Sequence, residues 1–374
     1  MKCCKEKVTE EKRVKKRVIV TLVTMAISMG CHGTNVRAEE SRQGETLHVT
    51  EELMEGLTID ADIRIPGIKY RTYQTVSKEF DPDTAAALLM PEAGPGESTA
   101  ESDDSKASLS FGEQRLSMSP GYLRYTKDAE ITYISQLVEE AEDMGILEKK
   151  ELGFMKAEEA ERLVKYFLEQ MNLGAVPENV TAVACTAENL AEAEQYLLEY
   201  DEHFRGLKEA GKFPSKEGFS QEDEIYYIPC VFYQDGIPVL GTDEPEVYTF
   251  GGIDSAPPSL PMDAVFYVGA SGIRLVSLMN VVDGDLVPSA EEEIIQTDGI
   301  IEALRSRYGD VILQETITVT DIWLEYMPIR GKENYREITL TPAWCCRLTV
   351  TGDGDASEAV YAERFHAVTG ELIA

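Results

Sequence analysis

Glu224-Ile-Tyr-Tyr-Ile-Pro-Cys-Val-Phe-Tyr-Gln-Asp-Gly-Ile-Pro-Val-Leu240 is the stretch on which the fold turns. Its first ten residues are rich in aromatic and β-branched side chains and read as a strand. Asp235-Gly236 is a two-residue hairpin signal, because both positions of a type I′ turn need positive φ. Ile237–Leu240 then returns as a second strand. Before this stretch the apolar spacing is mainly helical, and after it the period is mainly two. Helices packed on antiparallel sheets, an α+β class, follow from that order.

Upstream, Ala157 to Leu173 sets Ala160, Leu163, Val164, Phe167, Leu168 and Met171 on one helical stripe. Ile131 to Met144 repeats the spacing, Val180–Cys185 reads as a strand, and Ala187 to Lys212 reads as one long charged helix. Further upstream, Leu57 to Ile65 alternates apolar and polar and is a half-buried strand. Lys69 to Ser77 follows as another. Asp81-Pro82 opens a short helix, with Asp as N-cap and Pro at its first position. Residues 91–109 are small, polar and acidic, which predicts a flexible insert; strand-like runs follow near Leu109–Phe111 and Tyr122–Tyr125.

Downstream, Ala264–Val268 and Ile273–Met279 flank a Gly269-Ala-Ser-Gly272 turn. Ser289 with Glu292 forms a capping-box pattern for a helix over Ala290 to Tyr308. Long strands are expected at Gln314–Ile329, Glu337–Thr351 and Glu358–His366, with a short Glu371–Ile373 end. The expected divisions are a signal over 1–38, a disordered start over 39–56, N-terminal strands over 57–126, a middle α+β module over 127–285 and a C-terminal α+β module over 286–374. The helix-then-meander order thus occurs twice.

The chain begins with a basic segment ending Lys15-Lys16-Arg17, followed by a dozen uncharged, mostly apolar residues from Val18 to Met29. This is the pattern of a secretory signal peptide. The run is shorter than the roughly 20 residues of a membrane-spanning helix. Ser28-Met29-Gly30-Cys31 resembles a lipobox, with Ser28 where Leu is usual; Cys31 is then the lipidation candidate. Val36-Arg37-Ala38 offers cleavage before Glu39 instead. The lipid anchor is the preferred reading, placing the protein on the outer face of the cell membrane; the alternative is a freely secreted protein.

The whole sequence carries 35 Lys+Arg and 68 Asp+Glu. Its first 38 residues hold nine of the basic and three of the acidic side chains, leaving 26 against 65 and a net charge of −39. Such a balance excludes nucleic acid as a partner and disfavours adhesion to anionic headgroups. Cys185, Cys230, Cys345 and Cys346 remain after the signal, and an oxidising compartment permits disulfides among them. No C-x-x-C is present. Cys345 and Cys346 should point to opposite faces of a strand.

The sequence contains no H-E-x-x-H, G-x-S-x-G, G-x-x-x-x-G-K-[ST] or G-x-G-x-x-G. Its four histidines, His32, His48, His203 and His366, are scattered. Asp283-Gly-Asp285 and Asp353-Gly-Asp355 read as turns and lack the ligand alternation of a calcium loop. In so acidic a chain no carboxylate pair stands out for glycoside hydrolysis. The expectation is no catalytic, cofactor or metal site. Tyr226, Tyr227, Phe232 and Tyr233, and Trp323, Tyr326 and Trp344, fit either an aromatic binding platform or a core; the core is preferred.

Asp321-Ile-Trp-Leu-Glu-Tyr326, Leu340-Thr-Pro-Ala-Trp344 and Ala362-Glu-Arg-Phe-His-Ala-Val-Thr-Gly-Glu-Leu-Ile373 resemble the PepSY-like modules of exported Firmicute proteins, with His366 where Asp or Asn is usual. Ile59 to Pro66, Ser117-Met-Ser-Pro-Gly-Tyr122 and the Ala157–Leu173 helix resemble a group of uncharacterised clostridial exported lipoproteins in which such elements precede a PepSY-like tail. The resemblance implies a non-enzymatic, membrane-anchored envelope protein. It also implies a protein partner, since some PepSY domains inhibit or chaperone secreted peptidases and others sit in regulators beside sensor kinases. A solute- or glycan-binding lipoprotein and a hydrolase are the alternatives.

Overall fold

The computed structural model describes residues 45–373 except 66, 68, 94–98, 104–105, 214–215, 217, 242–258, 314 and 352–358. In chain order the elements begin with β1 (Glu45–Met54), β2 (Leu57–Ile65), β3 (Lys69–Tyr70), β4 (Tyr73–Val76) and α1 (Pro82–Leu89). Then come β5 (Thr99–Asp103), β6 (Lys106–Phe111), β7 (Gln114–Ser119), β8 (Tyr122–Thr126), α2 (Ala129–Asp143) and α3 (Ala157–Met171). They are followed by β9 (Val176–Val180), β10 (Val183–Cys185), α4 (Ala187–Tyr200), α5 (Glu202–Glu209), β11 (Ile225–Gln234) and β12 (Ile237–Pro238). The remainder are β13 (Asp263–Gly269), β14 (Gly272–Met279), β15 (Val287–Pro288), β16 (Glu292–Glu293), α6 (Thr297–Tyr308), β17 (Thr316–Arg330), β18 (Glu337–Thr351) and β19 (Ala359–His366). The class is α+β.

Two compact units share these elements. The first comprises Ser77–Phe232 and Met262–Gly284; the second comprises the described parts of 45–76, Tyr233–Pro261 and Asp285–Ala374. This division replaces the expected linear modules, because the N-terminal strands join the C-terminal ones. Isoleucines and threonines of β2 run parallel to β17, with Ile317 facing Leu57 and Val319 facing Ile59. A pairing over some 260 positions leaves no trace in local periodicity.

In the first unit the main sheet runs β10-β11-β13-β14-β8-β7-β6-β5, antiparallel throughout. Adjacent residues of β13 point to opposite faces, and both faces carry helices. Phe266 meets Phe167 of α3 edge-on, with centroids 5.6 Å apart. Tyr267, on the other face, donates to Glu139 of α2 at 3.0 Å. On that face Ile131, Ile134, Leu137 and Val138 of α2 bury themselves with Leu190, Ala193 and Leu197 of α4 against Tyr227 and Leu275. The caps explain the starts. Asp81 accepts from Thr84 N at 3.0 Å, and Asp128 from Ile131 N at 2.8 Å. Asp201 leaves helical φ/ψ and caps α5 through the amides of His203 and Phe204, so the single helix expected over Ala187–Lys212 is two.

Gly174 marks the tightest backbone approach in this unit. Its amide donates to Val282 O at 3.0 Å, and a Cβ there would lie 2.2 Å from Asp283 O. Gly174→Ala therefore forces the 172–174 turn away from 282–283 and should lower the melting temperature of purified protein; an unchanged melt would show that this contact yields without cost.

In the second unit the sheet runs β1-β2-β17-β18-β4-β15, with β19 also on β18, and β3 pairs with β16. Asp235 and Gly236 both take positive φ, 54° and 74°, and close the turn between β11 and β12 as the sequence predicts. Trp344, fully buried on β18, donates from Nε1 to Ile295 O just before α6, at 3.0 Å. Arg307 of α6 donates to Glu363 Oε1 of β19 at 3.2 Å. Glu363 faces Cys346 across the ladder. Helix α6 thus covers the sheet face that carries Trp344 and Cys346.

Several expectations fail where long-range pairing wins over local composition. The disordered start contains β1, which pairs with β2 from Glu45↔Ile65 to Met54↔Leu57. The flexible insert contains β5 and β6, and buried Leu109 faces Leu116 across β6 and β7. The helix expected from Ala290 starts at Thr297. Ser289 does not cap it; its Oγ accepts from Thr72 N at 3.0 Å, while Glu292–Glu293 pairs with Lys69–Tyr70.

Candidate functional site

The second unit presents a polar sheet face opposite α6. Alternation along the strands sends Trp323, Glu325 and, after a bulge at Val319/Asp321, Asp321 to this side. Cys345 and Arg347 on β18 and Arg364 on β19 join them through the registers Trp323↔Cys345↔Arg364 and Asp321↔Arg347. The foundation is an ion pair. Arg364 Nε donates to Glu325 Oε1 at 2.5 Å, with the side chains 2% and 1% exposed. The other oxygen, Glu325 Oε2, accepts from Trp323 Nε1 at 3.1 Å. A carboxylate held on both oxygens therefore orients the indole.

On the exposed side, the Arg347 guanidinium lies 4.9 Å from the Trp323 ring centroid, a cation–π distance. Arg347 also reaches Asp321 Oδ2 at 3.4 Å, and Arg64 reaches the same oxygen at 3.7 Å. Toward the hairpin of β1 and β2 the face continues as threonines and charges. Thr58 Oγ1 donates to Thr318 Oγ1 at 3.3 Å, and the exposed His48 ring lies between Asp62, at 2.9 Å, and Asp60, at 3.2 Å. Trp323 is thus stacked under Arg347, with its Nε1 directed by a buried acid.

The first unit holds a second constellation, a cleft of about 880 Å³ lined by Asp128, Glu130, Lys216, Phe219, Asp223 and Arg274, among others. Arg274 Nη2 donates to Asp128 at 3.1 Å and approaches Glu130 at 3.5 Å. Lys216 Nζ donates to both Glu130 and Asp223. Burial alone would favour the neutral forms of Lys216 and Asp223. Their mutual hydrogen bond outweighs it, aided by Glu130 on the lysine and Ser220 on the aspartate, so the lysine is raised and the aspartate lowered. Both groups titrate farther from neutrality than usual, which suits charge recognition and not proton transfer near pH 7.

No protein-family model and no curated protein matches the chain. Among solved structures, an uncharacterized protein from Eubacterium rectale is similar in fold. The likeness covers 87% of this chain and 92% of that one, at a TM-score of 0.52 and 15% sequence identity. At that identity the likeness concerns the fold alone.

Of the sequence-predicted residues, Cys31 lies outside the described ones. Cys185, Cys230, Cys345 and Cys346 are buried and in no disulfide among the described residues. Within the first unit, Cys185 faces Ile225, five positions along β11 from Cys230. That offset is about 17 Å at strand rise, beyond the roughly 7 Å that a disulfide can bridge. Burial pushes Cys185 and Cys230 up to about 12, with Glu224 and Asp263 adding to it respectively, and holds Cys346 well above its ordinary value with Glu363 adding. Such thiols are poor nucleophiles.

Tyr226, Tyr227, Phe232, Tyr326 and Trp344 are core residues, as preferred, whereas Tyr233 and Trp323 are half-buried. His203 is exposed on α5, and His366 ends β19, its Nδ1 accepting from Val368 N at 3.2 Å. Asp283 accepts from Lys78 at 2.9 Å, a structural tie, and Asp353-Gly-Asp355 lies outside the described residues. Glu325, Arg347 and Arg364 are not among the residues that local sequence patterns single out. The only available signal was three charged residues at inward positions of otherwise apolar strands, which becomes informative only once the strands are in register.

Proposed function

We propose that this protein is a non-enzymatic envelope lipoprotein that binds another protein through the polar sheet face of its second unit, whose C-terminal strands are PepSY-like. The Trp323–Arg347 stack on the buried Glu325–Arg364 pair carries the reading. A rigid aromatic anchor with its guanidinium already oriented loses little entropy on association. The export pattern of residues 1–38 and the acidic composition support a location outside the cytoplasmic membrane. With Cys31 acylated, residues 32–44 allow Glu45 to stand at most about 50 Å from the bilayer, so the partner is within reach of the same membrane.

The test is crosslinking of the full chain in native membranes, followed by capture. A stoichiometric partner should be recovered with the wild type. It should be lost at least tenfold with Trp323→Ala and with Arg347→Ala, which should fold as the wild type does. Recovery unaffected by both substitutions, or no stoichiometric partner, would overturn the proposal. Fatty-acid labelling that disappears in Cys31→Ala checks the anchor separately.

A further inference from the structure

The cleft of the first unit already holds one cation in a built setting. Lys216 Nζ donates to Glu130 Oε1 and Asp223 Oδ1 and lies 5.9 Å from the Phe219 ring centroid. Two carboxylates and an aromatic face are the groups that recognise an alkylammonium. The carboxylates are oriented independently of the lysine. Asp223, whose side chain is only 5% exposed, accepts on its other oxygen from Ser220 N at 2.7 Å and Ser220 Oγ at 3.1 Å. Glu130 is approached on its other oxygen by Arg274 at 3.5 Å, and Arg274 is itself anchored by Asp128, the N-cap of α2. The lining adds Glu222 to these acids, so carboxylates outnumber cations by four to two. About 880 Å³ of space opens beside the ammonium position, within the range of small-molecule sites.

We infer that this cleft is a binding site for a primary ammonium on an alkyl chain, and that Lys216 is its built-in competitor. An incoming ammonium takes the Glu130 and Asp223 oxygens while Lys216 swings to water on its flexible stem. Exchange keeps the buried Asp223 carboxylate paired throughout, which avoids the penalty of an uncompensated buried charge. No bond is made or broken. The same chemistry could come from a free diamine or from a lysine side chain of a partner protein.

Self-occupancy makes an unusual prediction, because removing a cation should improve the binding of another. Apparent affinity falls by the fraction of time the site is free; a site occupied by Lys216 nine-tenths of the time or more gains about tenfold or more when the lysine is removed. The experiment is calorimetric titration of the full chain in detergent with cadaverine, and in a parallel arm with Nα-acetyl-lysine amide. Lys216→Met should bind at least one of the two about tenfold more tightly than the wild type, and adding Asp223→Asn should abolish the gain. Lys216→Gln, which retains polarity in the cleft, provides the same comparison should Lys216→Met fold poorly.

A response to cadaverine identifies free diamines as the source, and a response to acetyl-lysine amide alone identifies a protein side chain. Binding of neither, equal affinity with and without Lys216, or a gain that survives Asp223→Asn would overturn the inference. Trp323→Ala should leave these titrations unchanged, so the outcome is separable from that of the sheet-face proposal.

Discussion

Glu325→Ala is expected to destabilise the second unit by about 3–5 kcal/mol, the cost of leaving a buried charge without its partner. Arg364 is 98% removed from solvent, and its Nε donates to Glu325. Once the carboxylate is gone, that buried guanidinium loses the acceptor of its Nε. The indole of Trp323 loses its acceptor in the same step. For a unit of this size the melting temperature should fall by about 6 °C or more. The informative companion is the double substitution Glu325→Leu with Arg364→Met. Replacing both charges by apolar groups of similar volume restores packing without a stranded ion and should recover most of the loss. A single variant that melts like the wild type, or a double variant as unstable as the single one, would show that the pair is not the foundation of this face. If the pair does orient Trp323, the double variant should fold yet capture the partner less well. Stability and recognition would then separate.

Trp344→Ala should cost a similar amount for a different reason. Its side chain is fully buried between Leu324 and Phe365, its register partners on β17 and β19. Truncating an aromatic of this size in a core costs about 3–5 kcal/mol through lost burial and the cavity that remains. The indole N–H also holds the Ile295 carbonyl ahead of α6, so the damage should extend to the helix. Hydrogen exchange of the Ile300–Tyr308 amides should accelerate with the fall in melting temperature. Trp344→Phe retains much of the volume and leaves only the Ile295 carbonyl unpaired, a cost of about 1–3 kcal/mol. Equal effects of the Ala and Phe variants would mean that the hydrogen bond, and not the packing, dominates.

The two substitutions fall on opposite faces of one sheet, and that distinction separates what was legible in the sequence from what was not. Alternation in Leu57–Ile65, the Asp235-Gly236 turn, the Asp81-Pro82 cap and the stripe of Ala157–Met171 are local patterns. Each depends on residues within one or two turns of chain, and each appears in the structure, although Leu163 of that stripe is exposed. Segments whose fate depends on a distant partner were misread. Residues 45–54 are polar enough to look disordered, yet β2 supplies a ladder for them. Ala290–Gln296 has a helix-start pattern, yet Ser289 and Glu292 are engaged by the segment near residues 69–72.

The candidate sites follow the same division. Trp323 and Tyr326 drew attention as aromatic residues, but alternation alone could not say which of them a helix would cover. Glu325, Arg347 and Arg364 looked like ordinary members of a very acidic chain. They become a site only because the register of three strands puts them side by side, and because a bulge turns Asp321 onto the same face. Glu130, Lys216 and Asp223 meet only because the chain returns to the start of α2 after some 85 residues. By itself the sequence determined the α+β class, the Asp81 cap and the hairpin turns, because those are set by short-range sterics and hydrogen bonding. The parallel pairing of β2 with β17, the composition of the two units and the ion pairs beneath Trp323 and around Lys216 were decided only in the tertiary structure. These depend on which distant backbones share a ladder, and no local free energy encodes that choice.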